Sequence, residues 1–111
     1  MEKFVKGDIV VIPFPFSDFT QSKRRPALVL ATLKGDDLIL CQITSKTISD
    51  SYSIPVDDSD FLEGSLKQSS NVRQNRIFTV DTKIILYKIG TLKQEKHNKI
   101  IDRVIQILTT A

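Results

Sequence analysis

Short blocks of apolar residues separated by polar turns run through most of the chain, a pattern typical of β-strands. The stretches GDIVVIPFPF (7–16), PALVLATL (26–33) and DLILCQIT (37–44) are rich in β-branched and aromatic residues, which favour strands. The turn KGDD (34–37) predicts that the last two form a hairpin. Their nearly continuous apolar character indicates central strands that are covered on both faces.

The first strand and the loop after it carry signals of their own. Pro13 and Pro15 cannot donate backbone hydrogen bonds, so we expect the end of this strand to lie at an edge or a bulge. The stretch SDFTQSKRR (17–25) is polar and short of aliphatic residues. We predict a loop of about nine residues there, which is longer than a tight hairpin needs.

The second half of the chain predicts three further short strands. YSIPV (52–56) contains a proline and predicts an edge strand, GSLKQSSNVR (64–73) a weak strand, and RIFTVD (76–81) a stronger one. The acidic stretch 57–63 carries four carboxylates and no cation, and we predict a mobile loop there. The segment 82–92 predicts a helical turn followed by a short strand.

The C-terminal segment 93–110 has the spacing of an amphipathic helix. Its apolar stripe, which we expect to face the core or a second copy of the chain, comprises Ile100, Ile101, Val104, Ile105 and Leu108. Thr91 and Gln94, three positions apart, predict a capping box at its start. About six short strands and one helix predict a small, mostly β barrel with a C-terminal helix packed against it.

Length and composition narrow the class of protein. The 111 residues fit a single domain, 1–111, and leave no room for a second full core. The chain has one cysteine, Cys41, within an apolar run, which excludes an intrachain disulfide and favours a reducing compartment. No apolar run reaches the length of a membrane span and no signal-peptide pattern is present, so we expect a cytoplasmic protein with no membrane partner.

The net charge of +3 permits a nucleic-acid partner but does not demonstrate one. The distribution of charge is more informative, because Lys23, Arg24 and Arg25 stand in a row before Pro26. Three neighbouring cations repel one another, so they are tolerated most easily when solvated or when an anion lies against them. Taken alone, these three residues are more typical of a solvated loop than of a binding site.

Several short motifs follow one another in a particular order. Gly7-Asp8-Ile9-Val10 comes first, then Arg25-Pro26 before an aliphatic strand, then QITS at the end of the next strand, then RIFTVD and the closing helix. In this order and spacing, from Gly7 to the helix, the chain resembles the MazF/PemK family, the ribonuclease toxins of bacterial toxin–antitoxin pairs.

The resemblance implies an SH3-like barrel of the MazF/CcdB type that forms a homodimer. It also implies sequence-specific cleavage of single-stranded RNA without a metal or other cofactor. A cognate antitoxin, whose C-terminal segment covers the RNA groove, would inhibit the toxin. The expected reaction is attack of the 2′-hydroxyl on the adjacent phosphate, which leaves a 2′,3′-cyclic phosphate and a 5′-hydroxyl.

Carried over by position, the resemblance makes Arg25 and Thr44 the catalytic pair, with Ser45 behind Thr44. A guanidinium stays charged and presents a planar fork of donors to phosphate oxygens, which suits this role. Arg25 starts one strand and Thr44 ends its hairpin partner, so we expect both at the same end of the pair. The chain departs from the family at Phe78, where many members carry an arginine.

Further residues are candidates for contacts with RNA. Lys23 and Arg24 would hold phosphates without sequence specificity, and Phe16 and Phe19 flank the basic loop and could stack on bases. A groove wall that hydrogen-bonds splayed bases would be formed by Arg73, Gln74 and Asn75, and Gln42 is a further candidate for contact with RNA. For the groove wall the alternative is a polar turn, and for the phenylalanines it is core packing. The acidic stretch 57–63 would repel phosphate and is expected to take no part in holding RNA.

The groups that move protons are not assigned by the sequence. Arginine is a poor general base, so a carboxylate is the more suitable group to accept a proton. Asp18 and Asp81 are the candidates. The only histidine, His97, lies in the helix and is more typical of a surface or capping residue. No paired cysteines, histidine cluster or calcium-loop spacing predicts a metal site.

Two other functions remain open from the sequence. The same fold could serve as a binding module that contacts nucleic acid or protein without cutting, as the related gyrase poisons do. The chain could also be an inactive homologue that only pairs with an antitoxin.

Overall fold

A computed structural model describes residues 3–14 and 23–110 of the chain. Seven strands curl into one antiparallel half-barrel sheet in the order β4-β6-β3-β2-β1-β7-β5, followed by a C-terminal helix. This confirms the predicted fold class, with one more strand than expected. The elements are β1 Asp8–Phe14, β2 Lys23–Thr32, β3 Asp37–Thr44, β4 Ile54–Val56, β5 Phe61–Gly64, β6 Ser70–Asp81, β7 Tyr87–Leu92 and α1 Gln94–Thr109.

Both faces of the central strands bury apolar side chains. One face packs with α1 and includes Leu28, Cys41 and Ile43, together with Ile100 of the helix. The opposite face has a second buried cluster that includes Val29 of β2. The continuous apolar runs of β2 and β3 are therefore explained by burial on both sides, as predicted.

The basic triplet belongs to a strand and not to a loop, contrary to the prediction. β2 begins at Lys23, and its first residues pair with the end of β1, with Arg25 opposite Ile12 and Arg24 opposite Pro13. Pairing with β1 satisfies the backbone hydrogen bonds of these residues. Their polar side chains gave no sign of this pairing in the sequence. The register of β1 with β7 ends at Val11, so within the described residues Pro13 lies past the paired part of β1 on that side, as expected for a residue that cannot donate.

The acidic stretch is also ordered into secondary structure, so the predicted loop is wrong. Asp57 caps a short 3₁₀ helix, Asp58–Asp60, and Phe61 is buried at the start of β5. β5 then pairs with β7, a long-range contact that local composition cannot indicate. β5 ends at Gly64, where φ is +77° and any side chain would overlap the carbonyl of Ile89.

The predicted strand over 64–73 is wrong for residues 65–69, which lie between β5 and β6. Its last residues, 70–73, and the predicted strand 76–81 belong to one strand, β6. A register shift opposite β3 interrupts it, because Cys41 pairs with Ile77 while Ile43 pairs with Val72. The β6 strand therefore has extra residues opposite this part of β3. A turn of 3₁₀ helix, Thr82–Ile84, and β7 follow, as the sequence predicted.

The start and the apolar stripe of α1 differ from the prediction. Lys93 is the N-cap, and its side chain makes no cap bond. The predicted capping box is therefore wrong, and the Thr91 hydroxyl donates to Asp8 instead. Ile100 and Val104 are buried, but Ile105 and Leu108 are 51% and 73% exposed. In the described ranges no helix is both long and apolar enough to cross a bilayer.

Candidate active site

Arg24, Arg25, Thr44 and Ser45 line one cleft of about 230 Å³ at an end of the sheet, referred to below as the cleft. The hairpin register places them there, because Ala27 pairs with Gln42 and antiparallel pairing continued by two residues sets Arg25 opposite Thr44. The prediction that the two residues lie at the same end of the hairpin is confirmed.

Both residues of this pair line the cleft, and a hydrogen bond orients the side chain of Thr44. Arg25 is half-buried, and Thr44 is 9% exposed. The Thr44 hydroxyl accepts a hydrogen bond of 3.2 Å from the backbone N–H of Lys46. A hydroxyl that accepts in this way still has its own hydrogen to donate. The cleft therefore presents a cationic fork beside an oriented neutral donor.

A third chain segment, residues 65–69, completes the lining and was not singled out by the sequence. It brings Leu66, Lys67 and Gln68 to the cleft, next to Ser70 at the start of β6. Leu66 packs against the helix-side core, and the Ser70 hydroxyl donates to the Gln68 carbonyl at 3.1 Å. In the sequence, the only sign of this role was a single lysine in a serine-rich stretch. Nothing in the local pattern indicated that this stretch would lie near Arg25.

The electrostatics of the cleft favour an anion. Among the described residues that line it, Arg24, Arg25 and Lys67 are cations and none is a carboxylate. On its other side Lys67 borders a separate hollow that is lined by Asp57 and Asp58. Lys67 thus stands on the ridge between a basic cleft and an acidic hollow.

Three of the predicted RNA contacts, Lys23, Gln42 and Asn75, do not line the cleft. Lys23 is exposed at the first position of β2, two residues from Arg25. Gln42 is half-buried on β3, on the same face as Thr44 but outside the lining. Asn75 is exposed in the irregular part of β6, and is not among the lining residues either.

Arg73 does not line the cleft, so its predicted place in a groove wall there is wrong. It is 9% exposed and forms an ion pair of 2.9 Å with Asp50. Its neighbour Gln74 is also buried, and donates to the Ser51 carbonyl at 3.3 Å. The alternative of a polar turn is wrong as well, because these residues belong to β6. The polar residue types alone could not show that Arg73 and Gln74 are buried in contact with Asp50 and Ser51.

Asp81 lies at the far end of the sheet and cannot move protons in the cleft. It pairs with Asp37, whereas Thr44 lies seven positions further along β3, a distance of roughly 23 Å in an extended strand. Its carboxylate accepts from the N–H of Lys83 and caps the 3₁₀ turn. The other candidate, Asp18, and the stacking candidates Phe16 and Phe19 lie outside the described residues.

His97 is buried, not a surface or capping residue. It is 6% exposed, and neither ring nitrogen has a hydrogen-bond partner among the described residues. Burial, and the nearby charge of Lys6, lower the pKa of His97 below its ordinary value. It lines a cavity near the start of α1 and not the cleft, so it has no part in the arrangement around Arg25.

The side chain at the departure from the family pattern has a packing role. Phe78 is half-buried opposite Leu40, and its ring centre is 6.1 Å from that of Phe14. Arg76 is exposed two residues earlier on β6 and does not line the cleft. In the described ranges no three His, Cys, Asp or Glu side chains come close enough to one another to hold a metal ion.

Solved structures with the same fold are numerous. MazE–MazF from Deinococcus radiodurans matches with a TM-score of 0.77 at 16% identity, covering 100% of both chains. An endoribonuclease in complex with its cognate antitoxin from a mycobacterial species matches with a TM-score of 0.76 at 14% identity, covering 98% of each chain. The Mycobacterium tuberculosis toxin MazF-mt6 matches with a TM-score of 0.68 at 20% identity, covering 90% of this chain and 93% of that one.

No curated protein sequence is significantly similar to the chain. The sequence profile of the PemK-like, MazF-like toxins of type II toxin–antitoxin systems matches residues 5–108, nearly the whole length. The chain therefore belongs to the PemK/MazF-like toxin family.

Proposed function

We propose that this chain is an endoribonuclease toxin that cleaves single-stranded RNA at specific sequences without a metal ion. The observation that carries the proposal is the placement of Arg25 and Thr44 in one cleft whose described lining is cationic. Family membership adds support, since one structurally similar protein is an endoribonuclease bound to its cognate antitoxin.

The cleft suits a phosphodiester that gains negative charge during reaction. The Arg25 guanidinium can donate two hydrogen bonds to phosphate oxygens, and a preorganised donor of this kind contributes roughly 3 kcal/mol, about a hundredfold in rate. Thr44 and Ser45 add neutral donors at the end of a strand that is paired on both sides. These three residues would stabilise the five-coordinate phosphorus.

The RNA itself supplies the nucleophile. Its 2′-oxygen forms a bond to the adjacent phosphorus, the bond from phosphorus to the 5′-oxygen breaks, and the products are a 2′,3′-cyclic phosphate and a 5′-hydroxyl. Asp18 is our candidate for the group that takes the 2′-hydroxyl proton. It belongs to the segment that leads into β2, whose second residue, Arg24, lines the cleft.

Selection among RNA sequences would come from groups around the cleft. Lys23 and Arg24 would hold phosphates whatever the RNA sequence. Gln42 and Asn75 offer amides to base edges, and Phe16 offers a ring for stacking. Unpaired bases expose those edges and faces, which is why the substrate is single-stranded.

Two protein partners follow from the same family. We propose a cognate antitoxin, because similar toxins from a mycobacterial species and from Deinococcus radiodurans form such complexes. We also propose a homodimer, for which the exposed Ile105 and Leu108 of α1 offer an apolar surface. Light scattering of the purified chain should give twice the monomer mass, and Leu108→Glu should lower it.

The test of activity uses end-labelled RNA of mixed sequence in excess chelator, with the cut ends mapped. We expect cleavage at a short motif, cyclic-phosphate ends, and a loss of at least about a hundredfold in Arg25→Ala. Arg103→Ala, which removes an exposed arginine of α1 outside the cleft, is the matched control and should cut normally.

Other results would identify other functions. Intact RNA with binding that weakens as salt is raised would favour a binding module of the same fold. Equal cleavage by Arg25→Ala and the unaltered protein would contradict the proposed site. A chain that neither cuts RNA nor arrests growth when expressed would be an inactive homologue.

A further inference from the structure

Resting on the proposed function, we infer that Lys67 is a further catalytic residue, the general acid that protonates the departing 5′-oxygen. Lys67 lines the cleft together with Arg25 and Thr44 but comes from a different chain segment. No motif of the family resemblance includes this lysine.

The position of Lys67 is fixed from both sides. Leu66 before it packs against the helix-side core, and the carbonyl of Gln68 after it accepts from the Ser70 hydroxyl at 3.1 Å. Gly64 sets where the segment leaves β5, because only glycine fits against Ile89 there. Lys67 itself is exposed between these anchors, so its amine can reach a ligand in the cleft.

The inventory of the cleft leaves few groups that can give up a proton. The described lining holds two guanidiniums, one ammonium and three hydroxyls, the last from Thr44, Ser45 and Ser70. A guanidinium keeps its proton under all ordinary conditions, and a hydroxyl is about as weak an acid as the leaving alcohol. An ammonium ion is the stronger acid and can transfer its proton to an alkoxide.

The electron pair of the breaking bond from phosphorus to the 5′-oxygen stays on that oxygen, which takes one proton from the Lys67 ammonium and becomes the 5′-hydroxyl. The amine left behind regains a proton from water.

A sulfur substitution separates acid catalysis from simple charge. Lys67→Arg keeps the positive charge but cannot release a proton, so cleavage of ordinary RNA should fall by about a hundredfold or more. In RNA with a 5′-bridging sulfur at the cut site, the leaving thiolate needs no proton, because thiols are far stronger acids than alcohols. Lys67→Arg should therefore cut this substrate as fast as the unaltered protein does.

Two variants serve as references on both substrates. Arg25→Ala should stay slow on each, because its loss affects the phosphorane and not the leaving group. Lys83→Arg, in the 3₁₀ turn at the far end of the sheet, should be fast on each. Thermal melts of all variants would exclude unfolding as the cause.

The outcomes are distinct. Full activity of Lys67→Arg on ordinary RNA, or an equal loss on both substrates, would overturn the inference and leave Lys67 as at most a phosphate contact. Failure of the unaltered protein to cut either substrate would overturn the proposed function together with this inference.

Discussion

The carboxylate of Asp8 accepts a hydrogen bond of 2.9 Å from the hydroxyl of Thr91, 83 positions later in the chain. Asp8 is only 1% exposed, and it also accepts from the N–H of Val5 at 2.9 Å and lies 3.5 Å from the Lys88 ammonium. The buried charge is thus fully engaged, and it ties the start of β1 to β7. The Gly7-Asp8 motif has a structural role in this chain.

Removing this carboxylate should destabilise the fold. We expect Asp8→Ala to lower the free energy of unfolding by about 3 kcal/mol, because it leaves buried partners unsatisfied. Urea denaturation measures the change. Asp36→Ala, at an exposed turn, should change stability by less than about 0.5 kcal/mol. Similar midpoints for the two variants would contradict the role assigned to Asp8.

The hydroxyl of Thr44 should matter for rate and not for folding. Thr44→Val keeps the shape of the side chain and removes the donor, so the rate of RNA cleavage should fall by about a hundredfold. Thr44→Ser should retain most activity. Single-turnover cleavage and thermal melts of both variants check this. A slow serine variant beside a fast valine variant would disprove a donor role for the hydroxyl.

Gln74 should be replaceable with a gain in stability. It is 2% exposed, and its side-chain oxygen has no hydrogen-bond partner among the described residues. Gln74→Met has nearly the same volume and removes the unsatisfied acceptor, but it also removes the long hydrogen bond of 3.3 Å to the Ser51 carbonyl. We expect the first effect to be larger, so unfolding should cost up to about 1 kcal/mol more. Loss of stability on denaturation would show that the hydrogen bond to Ser51 contributes more than the unsatisfied oxygen costs.

His97 should make stability depend on pH. Its pKa is lowered in the folded protein by burial and by the charge of Lys6, so the unfolded state binds the proton more readily. Stability from this group is therefore fully present above pH 6.5, the unfolded value, and is lost as pH falls below it. His97→Gln should flatten the change in urea midpoint between about pH 7.5 and pH 5.5. An equally steep change in the variant would disprove this source.

Neutralising the acidic hollow should strengthen binding of RNA, not weaken it. Asp58 lies in the hollow next to Lys67 and repels phosphate at short range. Asp58→Asn should raise affinity for single-stranded RNA by up to about threefold at low salt, with the gain vanishing at high salt. Fluorescence anisotropy measures it, with catalytically slow Arg25→Ala as the background. Reduced binding would mean that the acidic stretch contacts RNA.

Local pattern was sufficient where one strand, or one hairpin, determines position. The apolar runs around Leu28 and Leu40 predicted central strands, and the turn between them predicted their antiparallel pairing. That pairing was enough to expect Arg25 and Thr44 at the same end of the hairpin, although the register shift between Val29 and Ala31 was not predicted. The period of the last segment likewise predicted α1, since its core contacts at Ile100 and Val104 repeat every helical turn.

Only the tertiary structure decided which distant segments meet. Lys67 reaches the cleft because β5, which precedes its segment, pairs with β7. Arg73 lies elsewhere, in an ion pair with Asp50. The exposure of Leu108 and the burial of His97 depend on how α1 sits on the sheet. Sequence fixes hydrophobic period and turn chemistry, which act over a few residues, whereas contacts across dozens of residues arise only when strands pair and the helix packs.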